Sequence, residues 1–410
     1  HSKPKKLANM RLPKDKPGYT KLAATTLKRL VRQDPEQAMK QWQLLDPKLD
    51  LNDDQRKSLK RNLGLYMLKS YHPQSNQWLS QLDPESSDLK LLEWRLRYNL
   101  STQDWKTFDQ LLSQLPKQNQ SKGRWRYWHG RSLEQNGGNV QAATIYQELS
   151  KERSFYGFLA AHRLGQAFSL NNQSYPLDQP TLENLSNLPG MIRARELFYH
   201  GQLIEAKREW WKISPELTAE EHIQSAHLAR RWGWYTQAIQ ATISARRWDD
   251  LRLRFPAPFI QSVATNAQRF SITSPWIFAV ARQESAFAAE AYSPAGAIGV
   301  MQLMPATAKQ TAKKIKLRYK GKQQLRDPKI NIKLGSAYLS QMLDTHKGNR
   351  VHATAAYNAG PHRVKQWLKQ RGSLPVDLWI ETIPFDETRQ YVQNVLSYSI
   401  IYSDMLGQPK

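Results

Sequence analysis

One stretch of the sequence combines acidic side chains with a loop rich in small residues: ARQESAFAAEAYSPAGAIGVMQLMPATA, residues 281–308. A carboxylic acid there could act as a general acid or base. Glu284 continues an apolar stripe at helical spacing, whereas Glu290 lies in a polar approach to the loop and is expected to be solvated. The stripe consists of Ile277, Val280 and Ala281. Desolvation and the negative end of the helix dipole are predicted to raise the pKa of Glu284.

The helix that carries Glu284 is predicted to have Ser274 as its N-cap and Pro275 as its first helical residue. An alternative is that Glu284 lies at the rim of the fold and pairs with Arg282 or another cation. The helix by itself favours this second interpretation, a carboxylate paired with a cation. The segments that follow decide between it and a catalytic acid.

The loop after Glu284, residues 293–299, reads SPAGAIG and would let a ligand approach the backbone closely. Gln302 could then orient a polar substrate, and Met304 could fill an irregular apolar gap beside a sugar ring. Met301 is instead predicted to belong to the core.

Two later segments add polar candidates. Tyr357 stands just before the helix stop Asn358-Ala359-Gly360-Pro361, where its hydroxyl could reach into a cleft. Glu381 lies in a segment predicted to be extended and broken by Pro384. The alternative, non-catalytic interpretation of Glu381 is a surface charge or a helix cap.

The elements that must position these residues are helices. From Tyr19 to about Arg254 apolar residues recur at three- and four-residue spacing, and glycines at 137–138, 201 and 233 break paired helices. This pattern predicts an all-α helical-hairpin solenoid, preceded by a loose basic arm over residues 1–18. Two prolines, Pro256 and Pro258, mark a domain boundary before the segment with Glu284.

Composition excludes several function classes. The chain has 410 residues, no cysteine, and 60 Lys+Arg against 35 Asp+Glu, which gives a net charge of +25. Thiolate chemistry and disulfides are therefore excluded, and no apolar run reaches the length of a membrane span. The ten histidines show no metal-ligand spacing, and no phosphate-binding glycine loop is present. The charge favours a polyanionic partner, such as nucleic acid, an anionic membrane surface or an acidic cell wall.

Four blocks stand in a fixed order: QESAF, SPAGAIGVMQLMP, AYNAG and ETIPFDETRQYV. Together they resemble the catalytic domain of the soluble lytic transglycosylases of the Slt type, relatives of goose-type lysozyme. The helical region before them is similar to the N-terminal superhelix and linker of that family. The resemblance implies an all-α superhelical domain at 1–181, a helical linker at 182–256 and a lysozyme-like α catalytic domain at 257–410. The chain looks short at its N-terminal end, which puts a closed ring of helices in question.

The resemblance also implies an activity: cleavage of the β-1,4 bond between N-acetylmuramic acid and N-acetylglucosamine, with attack by the muramoyl C6 hydroxyl to leave a 1,6-anhydro end. Glu284 is implied to be the single acid and then base, and the substrate N-acetyl group assists. The residues implied to bind substrate are Ser293, Gln302, Met304, Tyr357, Asn358 and Glu381. No metal or other cofactor is expected.

Peptidoglycan glycan strands are then the expected partner, with cell-wall proteins as a further class and no role for nucleic acid. The substrate implies a periplasmic location, and we expect a monomer. Two other functions remain open at this point. One is a muramidase that uses water, and the other is a basic helical-repeat binding or scaffold protein whose catalytic domain is inactive.

Overall fold

Helices dominate the structure, a computed structural model that describes residues 18–83 and 87–408. The predicted all-α class is confirmed, since these residues form no strand and only two isolated β-bridges, Tyr292 with Ile298 and Ile298 with Leu303. The basic arm lies almost wholly outside the described residues. In order, the α-helices are α1 (Tyr19–Leu30), α2 (Pro35–Leu45), α3 (Asp53–Lys69), α4 (Ser75–Leu82), α5 (Leu89–Thr102), α6 (Trp105–Ser113), α7 (Lys117–Gln120), α8 (Gly123–Gln135), α9 (Asn139–Leu149), α10 (Phe155–Arg163), α11 (Gln179–Asn187), α12 (Pro189–Tyr199), α13 (Leu203–Ile213), α14 (Ala219–Arg231), α15 (Tyr235–Ser244), α16 (Leu251–Arg254), α17 (Ile260–Arg269), α18 (Ser274–Ser285), α19 (Pro305–Lys314), α20 (Pro328–Thr345), α21 (Arg350–Ala359), α22 (Pro361–Arg371), α23 (Val376–Glu381) and α24 (Asp386–Met405). Short 3₁₀ helices lie at Asp46–Lys48, Ser214–Glu216 and Lys322–Arg326.

The predicted helical hairpins are confirmed at all three glycine breaks. Gly137, Gly201 and Gly233 separate α8 from α9, α12 from α13 and α14 from α15. Each of these glycines has a left-handed backbone, with φ of 84°, 73° and 79° respectively, which glycine adopts without a steric penalty. The second helix of each hairpin buries an alanine: Ala142, Ala206 and Ala238.

The described chain divides into two compact units. Unit 1 comprises residues 18–83, 87–150, 160–166 and 367–389, and unit 2 comprises residues 151–159, 167–366 and 390–408. Within unit 1, apolar residues of α1 to α4 form one core, including Leu27, Leu63 and Met67. The predicted domain limits at 181–182 and 256–257 stay predictions.

Unit 2 holds the helix that carries Glu284. Trp276, Ile277 and Phe278 are buried, and so are Val280 and Ala281, so the predicted apolar stripe of α18 is confirmed. The predicted start of α18 is wrong by one residue. Thr273 is the N-cap, without a capping bond from its side chain, Ser274 opens the helix, and Pro275 follows within its first turn. Proline is tolerated at either position, because backbone N–H groups in the first turn of a helix have no acceptor within the helix and proline therefore loses no hydrogen bond there.

Candidate active site

Glu284 lies in the last turn of α18 and is half-buried. Its Oε1 accepts a hydrogen bond of 2.7 Å from the hydroxyl of Tyr391, a residue of α24 that is 4% exposed. Burial and the adjacent Glu284 carboxylate raise the pKa of Tyr391 well above its usual value. Tyr391 therefore stays a protonated donor at neutral pH.

Tyr357 comes from a third helix, α21, and is 9% exposed. Its hydroxyl donates to the carbonyl oxygen of Met301 at 2.8 Å. Burial chiefly, and the charge of Glu284 second, raise its pKa well above the usual value. The structure thus brings Glu284, Tyr357 and Tyr391 together from three helices that are distant in sequence.

Arg282, the cation that the alternative interpretation paired with Glu284, is engaged elsewhere. Its Nε donates to the carbonyl oxygen of Arg254 at 2.9 Å, and its guanidinium lies 5.5 Å and 5.6 Å from the ring centroids of Phe255 and Tyr398. Side chains two positions apart on a helix point in different directions. The different surroundings of Arg282 and Glu284 therefore follow from the helical period.

The loop between α18 and α19 is held by its own backbone. Ser293 N donates to Ala297 O at 2.9 Å, and Ile298 and Leu303 exchange two bonds of 3.0 Å and 3.1 Å. Three non-glycine residues in or beside it have left-handed φ: Ala286 at 50°, Phe287 at 69° and Gln302 at 44°. Such strain is maintained only where the surroundings determine the conformation, and it concentrates at functional sites.

The loop is fastened to α20 by Asn331, a fully buried residue that the sequence analysis missed. Its Oδ1 accepts from Met301 N at 2.8 Å, and its Nδ2 donates to Ile298 O at 2.9 Å and Leu325 O at 2.8 Å. Gly299 allows this approach: a Cβ there would come within 2.4 Å of the Asn331 amide nitrogen, and its φ is +80°. The local sequence pattern does not distinguish Asn331 from a surface asparagine, so its burial and its three hydrogen bonds become evident only in the folded structure.

We predict that Asn331→Ala loosens this loop. Three bonded backbone groups lose a buried partner, and each such loss costs about 1–3 kcal/mol before relaxation. The expected result is a clear fall in the denaturant midpoint together with faster amide exchange at Met301. Asn266→Ala is the matched control, because Asn266 is also buried but its Nδ2 bonds only to Ser262 O within its own helix. Equal exchange at Met301 in the two variants would contradict the prediction.

The other predicted substrate-binding residues of unit 2 lie around this loop. Ser293 Oγ accepts from Ala297 N at 3.0 Å, and Gln302 Nε2 donates to Gly299 O at 2.9 Å and Ala291 O at 3.2 Å. Met304 is 41% exposed, and Asn358 is half-buried beside Tyr357 on α21. Met301 is fully buried, as predicted for a core residue, and Glu290 is exposed.

Comparison with known proteins gives matches along most of the chain. Residues 261–380 match the family "Transglycosylase SLT domain", residues 184–251 the "Soluble lytic murein transglycosylase L domain", and residues 382–410 the "Soluble lytic transglycosylase helical domain". The soluble lytic murein transglycosylases of Salmonella typhimurium and Escherichia coli K12 are each 34% identical to it, over 94% of this chain and 60% of the relative. Residues 184–251, 261–380 and 382–410 therefore belong to soluble lytic transglycosylase domain families.

Solved structures of the family agree with this assignment. An inactive mutant of the lytic transglycosylase Slt from Pseudomonas aeruginosa superposes with a TM-score of 0.87 at 43% identity, covering 95% of this chain and 64% of that one. The 70 kDa soluble lytic transglycosylase of Escherichia coli gives 0.86 at 32% identity, covering 99% and 66%. The chain therefore spans about three fifths to two thirds of the length of these soluble lytic transglycosylases.

Glu381 differs from its expected setting. It is the last residue of helix α23, not part of an extended segment, and it belongs to unit 1. Its side chain is 1% exposed, with Oε1 at 2.9 Å from Arg97 Nε and 3.5 Å from Arg124 Nε. The surface-charge interpretation is wrong because this carboxylate is buried. The geometry around it is that of a structural ion pair, and a contact with substrate stays a prediction.

Residues 18–83 and 87–408 contain neither a candidate metal site nor a candidate membrane-spanning helix. No group of three or more His, Asp or Glu residues in those ranges could hold a metal ion. None of the helices there is long and apolar enough to cross a membrane.

Proposed function

We propose that this chain is a peptidoglycan lytic transglycosylase that cleaves the β-1,4 bond between N-acetylmuramic acid and N-acetylglucosamine without using water. The observation that supports this most is the half-buried Glu284 at the end of α18. It is bonded by Tyr391 and lies within the segment that matches the SLT domain. The Pseudomonas aeruginosa relative is described as an inactive mutant in which one glutamate is replaced by glutamine, which agrees with dependence on a single carboxylate.

The proposed reaction begins with protonation of the glycosidic oxygen by Glu284. As that bond breaks, the carbonyl oxygen of the muramoyl 2-acetamido group bonds to C1 and takes the place of an enzyme nucleophile. Glu284, now a carboxylate, then removes the proton from the muramoyl C6 hydroxyl, whose oxygen bonds to C1 as the acetamido oxygen leaves. The carboxyl ends in its original protonated state. A single carboxyl suffices because the substrate supplies the second group, unlike the two carboxyls of most glycosidases.

Attack by the C6 hydroxyl is intramolecular, and intramolecular reactions between well-oriented groups have effective molarities far above any solvent concentration. The protein's task is to hold the sugar in place and keep water from C1. We assign this to Ser293, Gln302, Met304, Tyr357 and Asn358. Tyr357 and Gln302 already hold loop carbonyl groups, so they define the shape of the subsite through the backbone.

The substrate implies a periplasmic enzyme. Its net charge of +25 would hold it near the lactyl and peptide carboxylates of the wall. A monomeric state and cell-wall protein partners remain predictions that follow from the same assignment.

Mass spectrometry of the products tests the proposed function. Purified sacculi are incubated with the 410-residue chain, and the soluble muropeptides are analysed without prior reduction. We expect muramoyl ends that are lighter by one water than reducing ends, and that do not react with borohydride. Reducing muramoyl ends would support a hydrolytic muramidase instead. No soluble product would leave the basic helical-repeat binding protein as the better description.

A further inference from the structure

Residues 309–333 begin in α19, shortly after the loop between α18 and α19, and carry a dense run of positive charge. They contain ten lysines and arginines and one acidic residue, Asp327. Nine of the ten cations are exposed, and Lys333 is half-buried. None of the ten forms an ion pair with a carboxylate of residues 18–83 or 87–408. The reaction proposed above gives this concentration of charge no function.

We propose that this basic surface, the exposed lysines and arginines of residues 309–329, binds the ionised carboxylates of peptidoglycan stem peptides. Its centre is a basic row of four exposed cations: Lys316, Arg318, Lys320 and Lys322. A glycan strand held at Glu284 is then recognised by its peptides as well as by its sugars. This inference rests on the proposed function.

The first support is the arrangement of the basic row. It runs from the end of α19 through residues 317–321, which belong to no helix, to the 3₁₀ helix Lys322–Arg326. The intervening Leu317 and Tyr319 are half-buried, so exposed cations alternate with inward-facing residues as they do along an extended chain. Neighbouring positions of the row have Cα atoms at most about 7 Å apart. Like charges at this spacing repel each other, and an anionic partner offsets that repulsion.

The second support is continuity with the loop between α18 and α19. Nδ2 of the buried Asn331 donates to Ile298 O in that loop at 2.9 Å and to Leu325 O in the 3₁₀ helix at 2.8 Å. Gly299 lies so close to this helix that a Cβ there would be 2.2 Å from Leu325 O. The 3₁₀ helix in which the row ends therefore packs directly against the loop that we assign to the sugar.

The chemistry of the surface favours carboxylates over the other classes of polyanion. Among the described residues between Met304 and Val376 no large apolar side chain is exposed, so this surface has nothing to insert into the apolar part of a membrane. Tyr319 is half-buried, whereas proteins that bind single-stranded nucleic acid stack the bases on aromatic rings. Lysine and arginine bind carboxylates by charge-assisted hydrogen bonds. The stem peptides of peptidoglycan bring such carboxylates to the cleft together with the sugars.

Neutralising the row tests the proposal. The variant of the 410-residue chain combines Lys316→Gln, Arg318→Gln, Lys320→Gln and Lys322→Gln. Exposed ion pairs are individually weak, so we expect the four changes together to raise the sacculus concentration at half-maximal rate by about tenfold. The maximal rate should change far less, because Glu284 is untouched. On sacculi whose carboxyl groups have been converted to methylamides, parent and variant should have the same half-maximal concentration.

The matched control also removes three lysines and one arginine, all exposed and all outside this surface: Lys57→Gln, Lys90→Gln, Lys106→Gln and Arg252→Gln. Its net charge equals that of the row variant, so an effect of total charge would be the same in both. We expect its half-maximal concentration to stay within about twofold of the parent. Equal shifts in the two variants would overturn the proposal, and so would a shift that persists on methylamidated sacculi.

Two binding measurements complete the test. Flotation with vesicles that contain phosphatidylglycerol examines a membrane partner. A row variant that digests sacculi like the parent but no longer floats with the vesicles would overturn the proposal in favour of an anionic lipid surface. Co-sedimentation with sacculi does not depend on turnover. If the parent releases no anhydro product, the proposed function fails, but weaker co-sedimentation of the row variant than of the control would still support the carboxylate surface, and equal co-sedimentation would refute it as well.

Discussion

Replacing Glu284 by glutamine should reduce sacculus digestion by about 10³-fold or more. General acid–base catalysis contributes about 10²–10⁴-fold in enzymes, and here one carboxyl serves both proton transfers. Glutamine has nearly the same shape and can still accept a hydrogen bond from Tyr391 through its amide oxygen, so the fold and glycan binding should persist. The measurement is the initial rate of muropeptide release, with the circular dichroism spectrum and sacculus co-sedimentation recorded alongside.

Glu290→Gln supplies the matched control for that experiment. Glu290 lies six residues further along the chain and is exposed. Its replacement removes the same charge from the same part of the chain and leaves the half-buried carboxyl of Glu284 in place. Its rate should stay within about twofold of the parent, because surface substitutions away from special features have small effects. A Glu284→Gln variant that digests sacculi as fast as Glu290→Gln would refute the site assignment.

Helical periodicity was enough to predict that α18 carries a carboxyl at the end of a buried stripe. That inference works because the structure buries Ile277, Val280 and Ala281 at the expected spacing. The glycine breaks at Gly201 and Gly233 were predictable for a similar local reason, since a left-handed turn residue favours glycine. Each of these features depends on a few neighbouring residues.

Tyr391 and Asn331 depend on contacts across long stretches of chain, and the sequence analysis missed both as members of the site. Tyr391 is seen in sequence only as one more aromatic residue on the buried face of a long helix. Its hydroxyl acquires a role from the packing of α24 against α18, which no local pattern encodes. Three-dimensional packing therefore reveals the groups that orient Glu284, while sequence reveals Glu284 itself.

For Glu381 the predicted backbone setting was wrong, whereas the implied contact with substrate stays a prediction. The family resemblance implied a substrate contact, and proline at 384 suggested an extended, accessible segment. The helix α23 instead ends at Glu381, and the carboxylate is buried against Arg97, which is itself 1% exposed. Burial lowers the pKa of Arg97 to about 10, with the nearby Arg389 adding to the effect and Glu381 opposing it. Arg97 therefore stays charged at neutral pH, and the pair is ionic.

Glu381→Gln should accordingly destabilise unit 1 by about 3–5 kcal/mol, the usual cost of removing one partner of a buried ion pair. The remaining carboxylate contact of Arg97, with Glu93 at 3.8 Å, is longer and weaker than the one it would lose. The measurement is the urea midpoint of the 410-residue chain. Glu387→Gln, a change of the same chemistry at an exposed position, should leave the midpoint almost unchanged.

The double replacement Arg97→Met with Glu381→Met separates a structural role from a substrate contact. Replacing both members of a buried pair by apolar side chains is often neutral or stabilising, because neither charge is then left without hydration. We expect the double variant to regain most of the stability lost in Glu381→Gln and, with it, the rate of sacculus digestion. If stability returns while activity does not, the carboxylate has a direct function in the reaction, because restored packing cannot replace a lost contact with substrate.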